Sequence, residues 1–116
     1  MPRFLAVYTM KPEDLARWRA LPKAEQDRRD AVGLKQWADW ETANAASLVG
    51  DSGMVGKTLR VTPGGADGAT NDICGYIVVR ADSIEAAARL FENHPHFTIF
   101  PGDGVDIMPL LTGPQD

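Results

Sequence analysis

The residues Ile73-Cys74-Gly75-Tyr76-Ile77-Val78-Val79 are apolar on both alternating faces, and the run stops abruptly at Arg80. It is too short to span a bilayer, and its β-branched and aromatic content suits a strand covered on both sides. Such a strand belongs in the middle of a sheet, so the rest of the chain must supply its neighbours and its cover.

Three other segments read as strands. Phe4-Leu5-Ala6-Val7-Tyr8-Thr9 is a compact apolar run, Thr58-Leu59-Arg60-Val61-Thr62 alternates, and Val105-Asp106-Ile107-Met108 alternates up to Pro109. Between the first two lie helical patterns. Lys11-Pro12 opens a short helix with Glu13 and Asp14 where the dipole favours acids, and Leu15 and Trp18 follow at helical spacing before Pro22 ends it. A second helix is predicted from Lys23 to about Ala46, with a weak point at Gly33 and with Trp37 and Trp40 on one stripe. Asp82-Ser83-Ile84-Glu85 has capping-box spacing, and Ile84, Ala87, Ala88 and Phe91 mark the face of a third helix. Asn93-His94-Pro95 closes that helix, because a residue before proline is pushed out of the α region. Gly50 to Gly56 reads as turns, Pro63 to Gly68 as an exposed loop, and Phe97 to Phe100 as extended chain.

The order strand, helices, strand, strand, helix, strand predicts an α+β, ferredoxin-like βαββαβ domain spanning residues 1–116. Its four-stranded antiparallel sheet carries helices on one face. The chain's 116 residues suffice for a single core, and 44% hydrophobic against 24% charged residues is an ordinary globular balance. The uncovered sheet face is apolar, and pairing with a second copy is the economical way to cover it, so a homodimer is expected.

Composition excludes several classes. Sixteen acidic against 12 basic residues give a net charge of −4, with no basic run interleaved with aromatics, so nucleic acid is not an expected partner. No segment has the length of a membrane span or the pattern of a secretory signal, and the single Cys74 forms no intrachain disulfide. A cytoplasmic location follows by elimination. Cys74 itself reads as a small buried hydrophobe.

Asp51-Ser52-Gly53-Met54-Val55-Gly56-Lys57-Thr58 approaches a phosphate-binding loop, but Asp51 occupies the first glycine position and a strand-like run replaces the required helix. It reads as a turn before a strand. His94 and His96 are the only histidines and lie near Asp103 and Asp106 in sequence, but two ligands of each type make a thin metal site. No metal and no cofactor are expected. His94, placed past a helix C-terminus, would be favoured as imidazolium and could bind an anion or move a proton. A structural capping role competes with that reading, and no Ser or Cys nucleophile motif accompanies it. Trp37 and Trp40 fit either a core stripe or the wall of an apolar pocket.

The run Gly75 to Ala87, then His94-Pro95, then Val105-Asp106-Ile107-Met108-Pro109 resembles the YCII-related (DGPF-domain) family. That family has a glycine-aromatic strand, an Ala-Asp-Ser helix start, a His-Pro helix end and a last strand leading to proline. The resemblance covers the C-terminal half closely and the N-terminal half only in the order of elements. It implies a fold of the dimeric α-β barrel superfamily with a ligand cleft between sheet and helices, and it implies no particular reaction. A histidine with an aspartate is the suggested catalytic pair in the YCII branch. Here the helix around Trp37 and Trp40 contains no histidine, and Met108 stands where an arginine is common, so His94 is the polar feature that transfers.

The expectation is therefore a small dimeric protein with a cleft for a small, partly apolar ligand. Trp37, His94, His96 and Asp103 are the candidate binding residues, and His94 is the candidate catalytic acid, base or anion contact. The segment from Asn93 to Asp103 is expected to form one rim of the cleft, with Trp37 on the opposite wall. On this reading, His94→Ala weakens binding more than stability. The alternative is a non-catalytic ligand-binding or accessory module using the same cleft.

Overall fold

Strand β1 (Arg3–Thr9) buries Phe4, Ala6 and Tyr8 on one face, the alternation a pleated strand imposes, and β5 (Ile73–Arg80) presents Ile77 and Val79 to the same layer. The computed structural model describes residues 1–111. After β1 come helices α1 (Pro12–Arg19) and α2 (Lys23–Ala43), a short 3-10 turn, strands β2 (Leu48–Met54), β3 (Thr58–Thr62) and β4 (Gly65–Ala69), and then β5. Helices α3 (Ile84–Arg89) and α4 (Pro95–Thr98) follow, and β6 (Gly104–Pro109) closes the order. The main sheet has four strands in the order β2-β5-β1-β6, every neighbouring pair antiparallel. This is the ferredoxin-like α+β arrangement expected, with β3 and β4 added as a separate hairpin.

The strand beside β5 is not the one the pattern suggested. Residues 58–62 pair with residues 65–69, from Thr58 opposite Ala69 to Thr62 opposite Gly65, and the supposed loop from Pro63 is the turn and second strand of that hairpin. The sheet position goes instead to β2, whose Gly50-Asp51-Ser52-Gly53 reads as turns. Gly50 has φ +69 and the pairing slips between Val49 and Gly53. A glycine tolerates that left-handed backbone, and an edge strand absorbs the irregularity because only one side must pair. The run Asp51–Thr58 is thus strand, loop and strand, and no helix follows Lys57.

Helix α2 runs uninterrupted through Gly33, which is no weak point. A Cβ there would lie 2.5 Å from the Phe100 ring, so glycine serves to let the 96–101 segment approach α2. Trp40 Nε1–H donates to the Leu90 carbonyl at 2.7 Å and ties α2 to the end of α3. Helix α3 begins one residue later than the capping box suggested: Ser83 is the N-cap, its Oγ accepting from Ala86 N–H at 3.1 Å. It ends at Arg89, and residues 97 and 98, expected to be extended, belong to α4.

Phe4, Ala6, Tyr8, Ile77, Val79, Ala87 and Phe91 form the core between sheet and helices, with Trp37, Trp40 and Leu48 packed against it. Coverage of β5 is one-sided within a single chain. Gly75, Ile77 and Val79 are buried, whereas Tyr76 is 36% exposed, and Met108 of β6 is 40% exposed. No helix among the described residues is long and apolar enough to cross a membrane.

Candidate ligand cavity

The His94-Pro95-His96 segment sits at the junction of β1, α2 and the α3 end. Asn93 takes a left-handed turn at φ 59, after which His94 is extended and Pro95 starts α4, a position where its fixed φ is suited and its missing N–H costs nothing. His94 is the N-cap, its Nδ1 accepting from His96 N–H at 2.9 Å. This corrects the expectation of a histidine past a helix C-terminus. The residue before a proline cannot continue α3, but here it also begins the next helix. An imidazole that accepts from a backbone N–H needs its lone pair, so this place favours the neutral ring. Burial, followed by the neighbouring His96, lowers its pKa from 6.5 to about 4.

His94 is fully buried in an aromatic cage. Its ring centroid lies 4.4 Å from Trp37, 4.7 Å from Trp40, 5.3 Å from Tyr8 and 5.9 Å from Phe91. With Nδ1 accepting, the ring proton sits on Nε2, which is buried and has no hydrogen-bond partner among the described residues. His96 is 1% exposed and bonds through Nε2 to the Thr9 carbonyl at 2.7 Å. A carbonyl only accepts, so Nε2 carries the proton and Nδ1 keeps a lone pair. Burial lowers the pKa of His96 too, against the opposing pull of the Thr9 carbonyl and Asp103.

In front of Trp37 and His96 lies a cavity of about 450 Å³ between the sheet, α1, α2 and the 96–101 segment. Its wall is aromatic, from Tyr8, Trp18, Trp37, Tyr76 and Phe100, with Met10, Leu15, Leu34 and Met54 between the rings. The rings form a connected series: Tyr8 to Trp37 is 5.1 Å, Trp37 to Phe100 is 6.1 Å and Phe100 to Trp18 is 5.8 Å. Polar side chains in the wall are few, namely Glu41, Ser52, His96, Tyr8 and Tyr76. The Tyr8 hydroxyl is buried and has no partner among the described residues, and burial, then Glu41 and Cys74, raise its pKa, so it remains a protonated donor. The volume and the sparse polar set are those of a small-molecule site.

No family model and no curated protein matches the sequence. A solved structure does match, the 5-chloro-2-hydroxyhydroquinone dehydrochlorinase of Burkholderia phenoliruptrix in complex with 2,5-dihydroxybenzoquinone. Its TM-score is 0.54 at 18% identity, covering 98% of each chain. The two share a fold. That fold is the ferredoxin-like α+β arrangement expected here from the order of elements.

Of the four residues singled out in the sequence, Trp37 and His96 meet in the cavity wall. His94 lies behind Trp37, fully buried, and is absent from the lining. Asp103 is at the Thr9 end of β1, accepting from Thr9 Oγ1 at 2.7 Å with Lys11 Nζ at 4.0 Å, and it too is absent from the lining. Among the described residues, no three His, Cys, Asp or Glu side chains gather as a metal centre. The sequence reading passed over Tyr8, Glu41 and Trp18. Tyr8 looked like one more core residue of β1, and the signal for Glu41 was its position one turn after Trp37 on α2.

Proposed function

We propose that this protein binds a small, flat, largely apolar molecule in the cavity, with the Tyr8 hydroxyl as the main polar contact and His96 as the second. The observation that carries this reading is Tyr8, which lines the cavity and whose hydroxyl is a buried donor that nothing among the described residues satisfies. Buried polar groups are nearly always paired, and an orphan beside a cavity is satisfied by what enters it. The shared fold of a protein solved with 2,5-dihydroxybenzoquinone, a ligand of suitable size and shape, supports the same class of occupant. Tyr8→Phe is expected to leave thermal stability unchanged and to weaken hydroquinone or 2,5-dihydroxybenzoquinone by about tenfold, the worth of one buried hydrogen bond. Calorimetric titration checks this, and equal affinity in the two proteins refutes it.

Membership of the YCII-related family belongs to the same proposal, resting on the His-Pro and strand motifs together with the fold. If the protein is an enzyme, His96 is the acid-base group of choice, because its proton is fixed on Nε2 and its Nδ1 lone pair is uncommitted. The second reading, a non-catalytic ligand carrier, is favoured by the burial of His94: the histidine that matches the family motif does not line the cavity.

We also propose a homodimer packed through the open sheet face, where Leu5 lies between Val78 and Met108 and Val7 lies beside Tyr76. Light scattering at micromolar concentration should give twice the chain mass, and Leu5→Asp should shift it to the monomer. A monomeric wild-type chain at all concentrations would exclude this assembly.

A further inference from the structure

The hairpin of β3 and β4 is left uncovered by the rest of its chain: every residue from Leu59 to Gly68 is exposed. Its register sorts the side chains by face. Leu59 stands opposite Gly68 and Val61 opposite Ala66 on one face, while Arg60 opposite Asp67 lies between Thr58 and Thr62 on the other. Leu59 and Val61 are 66% and 77% exposed, so the apolar face has no partner among the described residues. A two-stranded hairpin is marginally stable in water until it packs against something.

The root of this arm is nevertheless pinned on both sides. Val55 N–H donates to the Cys74 carbonyl at 3.0 Å and Met10 N–H to the Asp72 carbonyl at 2.9 Å. Asn71 Nδ2 donates to Thr58 Oγ1 at 3.0 Å, and Asn71 Oδ1 accepts from Ile73 N–H at 3.0 Å. The arm thus springs from a fixed base between β2 and β5. β5 also carries Tyr76 and Val78 of the open sheet face, so the two apolar surfaces that a single chain leaves bare are joined through one strand.

Size says what covers them. Four strands about 4.8 Å apart and about seven residues long make a face of about 450 Å², little more than half of the roughly 800 Å² per partner that a stable interface buries. One side of an arm of two five-residue strands measures about 160 Å², and a two-fold pair in which each copy gives one arm and receives another makes up the difference.

Building on the proposed sheet-face dimer, we infer that the hairpin is its clasp: each copy lays the face bearing Leu59 and Val61 on the partner, at the margin of the open sheet. A second copy is the occupant because the arm is a standing part of the fold and needs standing cover, and because the two-fold axis gives both arms the same seat. Arg60, Asp67 and the threonines then face water.

Sedimentation velocity of the full chain from nanomolar to micromolar concentration tests the clasp. The double variant Leu59→Asp/Val61→Asp should weaken the dimer about a hundredfold, whereas Arg60→Gln on the opposite face should change it less than about twofold. Hydrogen exchange supplies a measurement on the unaltered arm: its amides should exchange at least about tenfold faster in the monomer, obtained by Leu5→Asp or by dilution, than in the dimer. If the double variant keeps the wild-type affinity, or if the arm exchanges equally in dimer and monomer, the clasp is overturned and the sheet-face dimer stands. A wild-type chain that is monomeric at every concentration overturns both.

Discussion

Acidification from neutral pH to about pH 4 is expected to cost the fold about 3 kcal/mol through His94 alone. The ring is fully buried among Tyr8, Trp37, Trp40 and Phe91, and its Nδ1 accepts from His96 N–H. Its pKa falls from 6.5 to about 4 on folding, so between these values the unfolded chain holds a proton that the folded one refuses. Stability from this group is complete above pH 6.5 and is lost as pH falls toward 4; below that both states are protonated and the loss is constant. His96, also lowered by burial, adds to the loss with the same sign. Glu25, whose carboxylate Arg28 and Arg29 lower from 4.5 to about 2, loses its contribution mainly below this window. Urea denaturation across pH 7 to 4 measures the slope. His94→Asn should flatten it, because an asparagine oxygen still caps α4 but cannot take up the proton. It should also cost about 2 kcal/mol at neutral pH for the space the ring leaves. A wild-type profile that is level across the window would mean that His94 is not held neutral by its cage. The same burial turns the sequence expectation around, since a residue at the centre of an aromatic cluster affects stability first.

What could be read from the residues was whatever a continuous local pattern carries. The run 73–79, the run 4–9 and the tryptophan stripe of α2 each announce an element and a buried face, and these place the sheet and its cover. β2 was hidden because its stabilisation lies in hydrogen bonds to β5, made by a backbone whose side chains, Gly50, Asp51, Ser52 and Gly53, favour turns. His94 was misplaced for a related reason. A proline fixes where a helix cannot continue, but it does not say whether the residue before it closes one helix or opens another. The site was only partly legible. Trp37 and His96 were chosen for their chemistry, whereas Tyr8 and Glu41 come to line one cavity only when β1 and α2 pack together, and no spacing in the sequence records that approach.

Gly102→Ala should be the most damaging small substitution in the chain, at about 3 kcal/mol and a melting point lower by about 10 °C. A Cβ at this position would lie 2.2 Å from His96 Nε2, 2.3 Å from Cε1 and 2.5 Å from Cδ2. These atoms belong to a ring that cannot swing aside, for His96 is 1% exposed and its Nε2–H is bound to the Thr9 carbonyl at 2.7 Å. Displacing the ring leaves a buried donor and a carbonyl without each other, which costs about 1–3 kcal/mol, and overpacking adds about as much. Because His96 also lines the cavity, hydroquinone affinity should fall together with stability. Gly68→Ala is the matched control: the same methyl enters a strand position with nothing within 4 Å, and its effect should stay within about 0.5 kcal/mol. Thermal melts of the two variants decide the matter. Equal melting points would show that the loop carrying Gly102 yields to the methyl group, and that His96 is held by the Thr9 bond alone rather than clamped between that bond and the loop.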